Sequence, residues 1–315
     1  MCHLARRHWL LQGNHEFEPR YHHSDRHRSL HLLEIGVFKR RKVVGLSHYV
    51  CGELSVSVLQ NQVAIVTGAG SGIGAKAAEM LASEGASVVL VGRRLDALEE
   101  TAERIQAAGG TAIAHSADLT DGDQAAGVAA FTQEQLGRVD VLVNNAGFSS
   151  KVRSVRFVQP DEWDAVFKVN MEGVYRLTQA CLPGMIDRGD GLIITTSSMS
   201  ALKPGILGGS PYSAAKAAVR AFSHALNSEL RDRGIRATVI VPGEVDTPIL
   251  KDRPQVPNSE ARKTMMQPED VARCIHLAAT MPQRTIIEEL VVMPSILRDM
   301  SEEMAVALTK GGEGV

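Results

Sequence analysis

The stretch VAIVTGAGSGIGAKAAEML, residues 63–81, reads as a β-rich apolar run, a glycine-rich turn and the start of an amphipathic helix. Gly68, Gly72 and Gly74 follow Thr67, with Gly70, Ser71 and Ile73 filling the loop; the spacing is not the strict GxGxxG of dinucleotide-binding turns. Glycines closing a first strand permit a tight turn and a close approach of backbone to a pyrophosphate. The helix behind them offers free N–H groups and the positive end of its dipole. A glycine turn serving only strand–helix packing looks similar in isolation. With a strand before it and a helix after it, the loop points to nucleotide phosphate.

Outward from this unit the same alternation continues. VAIVT (63–67), SVVLV (87–91), TAIAHS (111–116), VDVLVN (139–144), GLIITT (191–196), RATVIV (236–241) and IIEELVV (286–292) read as strands, most of them nearly continuous in apolar residues. Helical period fills 73–84, 95–108, 121–136, 161–188, 211–233 and 268–279, with start signals at Asp121, Pro160-Asp161 and Pro268-Glu269-Asp270. Strand–helix alternation at this spacing predicts one α/β domain, a doubly wound (Rossmann) parallel sheet of about seven strands with helices on both faces. It spans about residues 58–295; the tail 296–315 ends in KGGEGV and is expected to fray.

The chain has 315 residues, 44% hydrophobic and 22% charged, which is ample for a soluble core. A net charge of -2 gives no reason to expect nucleic acid or an anionic membrane as partner, and no apolar run is long enough to span a bilayer. Cys2, Cys51, Cys181 and Cys274 lie far apart without a CxxC pair, so neither disulfides nor zinc are expected and a cytoplasmic location is. Charge is unevenly spread. Residues 1–58 hold 9 Lys+Arg, 5 Asp+Glu and 8 of the 11 histidines, ahead of an acidic body. This basic leader (1–57) has no regular period and no signal-peptide core; its histidines lack a metal-ligand spacing. It is expected to be disordered or non-native, with translation starting near Val56.

The second strand ends VVLVGRRLD. Doubly wound folds place there an acid that holds the ribose 2′-OH of NAD. Here Gly92 occupies that place, followed by Arg93 and Arg94. A carboxylate repels a 2′-phosphate and a guanidinium grips one, so NADP(H) is favoured over NAD(H). Farther on, Tyr212 and Lys216 stand four apart in SPYSAAKAAVRAF, one face of a helix start. A nearby ammonium favours phenolate and lowers a pKa that is otherwise near 10. Tyr212 is then the expected general acid–base for a hydroxyl/carbonyl interconversion.

With these come NNAG at 144–147, a serine pair before a loop, and PGEVDT at 242–247, all in order. Across about residues 58–295 the chain resembles the short-chain dehydrogenase/reductase family. The resemblance implies an oxidoreductase acting on a small alcohol or carbonyl. Lys216 would bind the nicotinamide ribose, Asn170 in FKVNMEGVY would support a water beside the lysine, and Asp118, next to Leu119, would contact adenine. Asn144, Ala146 and Gly147 would line the cofactor, as would Pro242, Gly243, Val245 and Thr247. It also implies a homo-oligomer, dimer or tetramer, built on the helices at 161–188 and 211–233.

The family places its catalytic serine 13 residues before the tyrosine, a position held here by Met199. Ser198 and Ser200 flank it. One extra residue in the loop 203–211 accounts for the offset, because strands set the serine's geometry and Gly/Pro loops absorb insertions. Ser198 is therefore assigned, with Ser200 as runner-up. Substrate contacts are expected from Ser198, Tyr212, Ile206 and Glu244. Glu244 is a carboxylate where a small or apolar residue is usual: it points to solvent or orients a polar group. The C-terminal sequence resembles the branch acting on small hydroxy acids and hydroxy amino acids. Other open readings are a 3-oxoacyl reductase, an NAD(H)-dependent alcohol dehydrogenase and a non-catalytic dinucleotide sensor.

Overall fold

The computed structural model describes residues 57–312, so the expectations for the leader and its start near Val56 lie outside the described residues. The strands are β1 (Val63–Thr67), β2 (Ser87–Gly92), β3 (Thr111–Ser116), β4 (Val141–Asn144), β5 (Gly191–Thr196), β6 (Ile235–Pro242) and β7 (Glu289–Val292). They form one sheet in the order β3-β2-β1-β4-β5-β6-β7, every pairing parallel. The helices between them are α1 (Gly72–Ser83), α2 (Leu95–Ala107), α3 (Gly122–Leu136), α4 (Pro160–Phe167) and α5 (Gly173–Arg188) in the first half. In the second are α6 (Met199–Leu202), α7 (Ser210–Leu230), α8 (Ser259–Arg262), α9 (Pro268–Thr280) and α10 (Ser301–Thr309).

Alternation along the strands divides the core in two. Ala64 and Val66 of β1 pack with α1, α2 and α9, while Ile65 between them packs with α3, α5 and α7. The central strands are therefore buried on both faces, which is why their sequences lack the apolar–polar alternation of half-exposed strands. Chain order reverses between β1 and its neighbours β2 and β4. At such a switch point the loops leaving the strand ends diverge and open a crevice for ligand.

Three features depart from the sequence reading. The helix expected at 161–188 is broken by a π-turn, Lys168–Glu172, between α4 and α5. The last strand begins at Glu289, three residues later than expected. The tail expected to fray instead forms α10, in which Glu303 and Ala307 are buried. Its anchor is a set of ion pairs described below, which a glycine-rich end of chain does not announce. No helix among the described residues is long and apolar enough to cross a membrane.

Candidate active site

At the C-terminal ends of the strands lies a cleft of about 820 Å³, lined at one end by the glycine loop and at the other by Ser198, Tyr212 and the segment after Thr247. A smaller cavity of about 210 Å³ continues toward β2 and is lined by Gly70, Gly92, Asp118 and Leu119. Arg93 and Arg94 line both, and their side chains are exposed.

The glycine loop is bound to the strand beside it. Thr67 Oγ1 accepts from the N–H groups of Asn145 and Ala146 at 2.9 and 3.0 Å and donates to Val143 O. Gly68 has φ +66°, in the region that favours glycine. A Cβ on Gly74 would fall 2.4 Å from Gly68 O, so this glycine lets α1 pack under the loop and does not itself line the cleft. Ser71, Ile73, Ala146, Gly147, Pro242, Gly243, Val245 and Thr247 do line it.

Asn144 does not. It is buried, and its Nδ2 donates to Thr178 Oγ1 of α5. Strand alternation turns it to the helix side, and the next residue takes the expected place. Asn145 lines the cleft, donates from Nδ2 to Thr67 O at 3.1 Å and accepts from Thr196 Oγ1. The doubled asparagine of NNAG concealed which of the pair faces the ligand side.

Lys216, on α7, is 4% exposed, and its Nζ donates to Thr196 O at 2.8 Å. Burial pushes its pKa down to about 8. The Nζ lies 5.7 Å from the centre of the Tyr212 ring. Burial of the Tyr212 hydroxyl pushes its pKa up, opposed by hydrogen bonding from Ser198 and by the charges of Arg153 and Arg253. Ser198 and the two arginines are thus the groups that oppose burial at the phenol, with the Lys216 ammonium beside the ring.

The three serines separate by their partners. Ser197 is buried and donates to Lys216 O at 2.9 Å, tying β5 to α7. Ser198 faces the Tyr212 hydroxyl and accepts from Ser200 N at 3.1 Å, capping α6. Ser200 Oγ lies against Gly208, 2.5 Å from where a Cβ there would be. Asn170, fully buried in the π-turn, donates from Nδ2 to Phe148 O and Val166 O at 2.8 and 2.9 Å. Its Oδ1 has no partner.

Ile206 lines the cleft as expected. Glu244 also lines it, yet its carboxylate is engaged: Oε1 accepts from Arg253 at 2.7 Å, and Arg298 reaches both oxygens at 2.8 and 3.0 Å. Burial raises the Glu244 pKa, but hydrogen bonds and charge from Arg298 and Arg253 outweigh it and hold the carboxyl below the usual range. Glu303 of α10 completes the group, accepting from the same two arginines. Glu244 therefore does not point freely to solvent; its carboxylate is held at the cleft wall by two arginines.

The parallel sheet, the glycine loop at its switch point and a Tyr–Lys pair at the cleft, its lysine buried, define a dinucleotide-binding α/β oxidoreductase class. The short chain dehydrogenase family model matches residues 62–257, and the chain belongs to that family of NAD(P)-dependent oxidoreductases. It is 36% identical over 241 residues to an uncharacterized oxidoreductase of Staphylococcus aureus, covering 76% of this chain and all of that one. A glycine betaine reductase of Emericella nidulans is 37% identical over 246 residues, 75% of this chain but only 19% of that much longer protein. A crystal structure of a metagenomic short-chain oxidoreductase in complex with NADP superposes with TM-score 0.66 at 35% identity, over 76% of this chain and 100% of that one. An alcohol dehydrogenase from Thermococcus sibiricus, complexed with 5-hydroxy-NADP, gives 0.68 at 29% identity, over 76% and 98%.

Proposed function

We propose that the chain interconverts a secondary alcohol and a ketone with NADP(H), in preference to NAD(H), on a small hydroxy acid, hydroxy amino acid or similar small carbonyl compound. The observation that carries this is the convergence of Tyr212, Ser198 and Lys216 at one end of a cleft whose other end is a glycine cradle flanked by two arginines.

The cleft fits a dinucleotide. A Cβ on Gly147 would meet Asn170 Oδ1 at 2.6 Å and Lys216 Nζ at 3.3 Å, so the backbone there is kept bare beside the lysine. Gly68, Ser71 and Ile73 would hold the phosphates at the start of α1. Arg93 and Arg94 are in no ion pair among the described residues, which leaves both guanidiniums for a 2′-phosphate. Asp118, fixed by accepting from Thr120 N at 3.0 Å, would face the adenine end. When bound, NADP(H) supplies or accepts the hydride at the substrate carbon.

The chain's own residues handle the proton. In reduction, Tyr212 Oη gives a proton to the oxygen on which charge builds; in oxidation it takes one away. Ser198 Oγ donates to that same oxygen and stabilises the charge. Lys216 Nζ would bind ribose hydroxyls and hold positive charge near the reacting carbon. Asn170 Oδ1, buried without a partner, would accept from a water leading toward Lys216. The helices α4, α5 and α7 are the proposed surface for a homodimer or tetramer, whose mass light scattering would measure.

Tyr212→Phe tests the reading. It is expected to keep NADPH binding by fluorescence while kcat falls by ~100- to 10,000-fold. Undiminished turnover in that variant would remove Tyr212 from the chemistry and favour a non-catalytic dinucleotide sensor.

A further inference from the structure

Arg153 lies in the loop between β4 and α4, in the stretch KVRSVR (151–156), from which the sequence reading drew no site residue. It is 3% exposed, the most deeply buried arginine among the described residues, and it lines the same cleft as Tyr212 and Ser198. Its guanidinium has five N–H donors, and the partners it finds are all neutral. Nη1 donates to Ser149 Oγ and, at 3.0 Å, to Gly208 O; Nη2 donates to the backbone oxygen of Asp252 at 3.2 Å. Nε–H is buried and has no partner.

The contrast with its neighbours is informative. The other inward-facing arginines each have a carboxylate: Arg253 and Arg298 share Glu244 and Glu303, and Arg236 has Asp190 at 3.7 Å. Among the described residues no carboxylate lies within 4.0 Å of Arg153. Burial, with the like charge of Arg253 behind it, pushes its pKa down to about 10, against a smaller pull from Tyr212, Asp252 and Glu162. The group is still a cation at neutral pH. A buried, unpaired charge is costly, and proteins keep one where a partner arrives with the ligand. Nε–H together with Nη2–H forms the side of a guanidinium that grips a carboxylate through two parallel bonds.

We propose that Arg153 is the carboxylate seat of the substrate pocket, and that the substrate is the anion of a hydroxy or oxo monocarboxylic acid. The proposal rests on Tyr212 as acid–base, since the acid's hydroxyl or carbonyl must reach that residue while its carboxylate reaches Arg153. One guanidinium without a carboxylate partner takes one carboxylate. Arg253 and Arg298, the arginines nearest to it on the same wall, are already neutralised by Glu244 and Glu303. Ile206, Leu207, Ile249, Leu250 and Met304 give the remaining wall an apolar character suited to a hydrocarbon chain.

The experiment compares straight-chain oxo acids of four to eight carbons, ketone at C2 to C5, with their methyl esters as substrates for NADPH and NADH oxidation. At least one acid is expected to exceed its ester by ~100-fold or more in kcat/KM, since a site built for a polar group rejects the analogue lacking it. This arm needs no variant. In Arg153→Met the acid-to-ester ratio collapses to within a few-fold, through KM for the acid, and Arg153→Lys retains part of it. In parallel, the melting temperature of the protein without nucleotide is measured with 3-hydroxybutanoate and with 3-hydroxybutanamide. The acid alone raises it, and the rise is lost in Arg153→Met. Esters equal to acids throughout, a ratio that survives Arg153→Met, or no difference between acid and amide overturns the seat. Turnover of neutral ketones with acids refused would sink the carboxylate and leave the oxidoreductase reading intact. An acid-specific melting shift with no nicotinamide-linked turnover of any compound would do the reverse.

Discussion

Gly147 and Asn170 approach so closely that a methyl group on the glycine would lie 2.6 Å from the asparagine Oδ1. The asparagine has nowhere to retreat, because it is fully buried and its Nδ2 is tied to Phe148 O and Val166 O. Its position in turn comes from the π-turn Lys168–Glu172, which widens the helix where it passes the end of β4. One glycine, one irregular turn and the lysine behind them therefore act as a unit.

Gly147→Ala is expected to push Asn170 and Lys216 out of place. The overpacking costs about 1–3 kcal/mol of stability, read from denaturant melts. The kinetic loss should exceed what this implies, with kcat down by ~100-fold, because a small misplacement of positioned groups is expensive. Wild-type kcat in a folded Gly147→Ala protein would show that the apposition has no catalytic consequence.

Lys216 carries a pH signature. Its pKa is about 8 in the folded chain, against the ordinary 10.5. Below pH 8 the lysine is charged in both states, and the folded state bears the full cost of burying that charge. Above pH 10.5 it is neutral in both, and the cost is gone. Between these values the unfolded chain binds more protons, so this residue's contribution to stability rises with pH. Relative to Lys216→Met, the wild type should gain about 3 kcal/mol between pH 7 and pH 10.5. Urea melts of both proteins across that range measure it, and a difference independent of pH would contradict it.

The sheet was legible because its physics is local: apolar runs buried on both faces, glycine at the first turn, and start signals ahead of the helices. The site was legible only where residue types repeat a motif. Tyr212 and Lys216 are four apart on one helix, so their juxtaposition follows from sequence distance alone. Asn145 was missed beside Asn144, since two adjacent asparagines differ only in which way the strand turns them. Arg153 sits in KVRSVR, which reads as a solvated basic run, and only the tertiary closure of the loops at Ser149, Gly208 and Asp252 buries it. The Glu244 cluster joins residues up to 59 positions apart, and no periodicity encodes that.

Cofactor preference turns on Arg93 and Arg94. With Gly92 in place of an acid and both guanidiniums exposed at the smaller cavity, the double substitution Arg93→Ala/Arg94→Ala removes the charge available to a 2′-phosphate. Charge-assisted bonds of this kind contribute about 1.5–3 kcal/mol, so KM for NADPH should rise by ~10- to 100-fold while that for NADH changes little. Equal effects on the two cofactors would mean that the arginines are only a solvated pair at the head of α2.

The ion-pair group at the far rim determines whether α10 stays docked. Arg253, Arg298, Glu244 and Glu303 are 13%, 10%, 19% and 8% exposed at their side chains, and each arginine bridges both carboxylates. Glu303 is the only member supplied by α10. Glu303→Ala leaves two buried guanidiniums sharing one carboxylate, and breaking such a group from one side costs about 3–5 kcal/mol. The loss should be local, because α10 contributes Met304 to the cleft wall and little else to the main core. Proteolysis should therefore trim the C-terminal segment of Glu303→Ala while β1–β7 stay protected, and KM for substrate should rise more than kcat falls. Glu303→Gln, which keeps the shape and one acceptor, should lie between. If both variants resist trimming as the wild type does, the helix is held by its apolar contacts and the four charges are incidental to its docking.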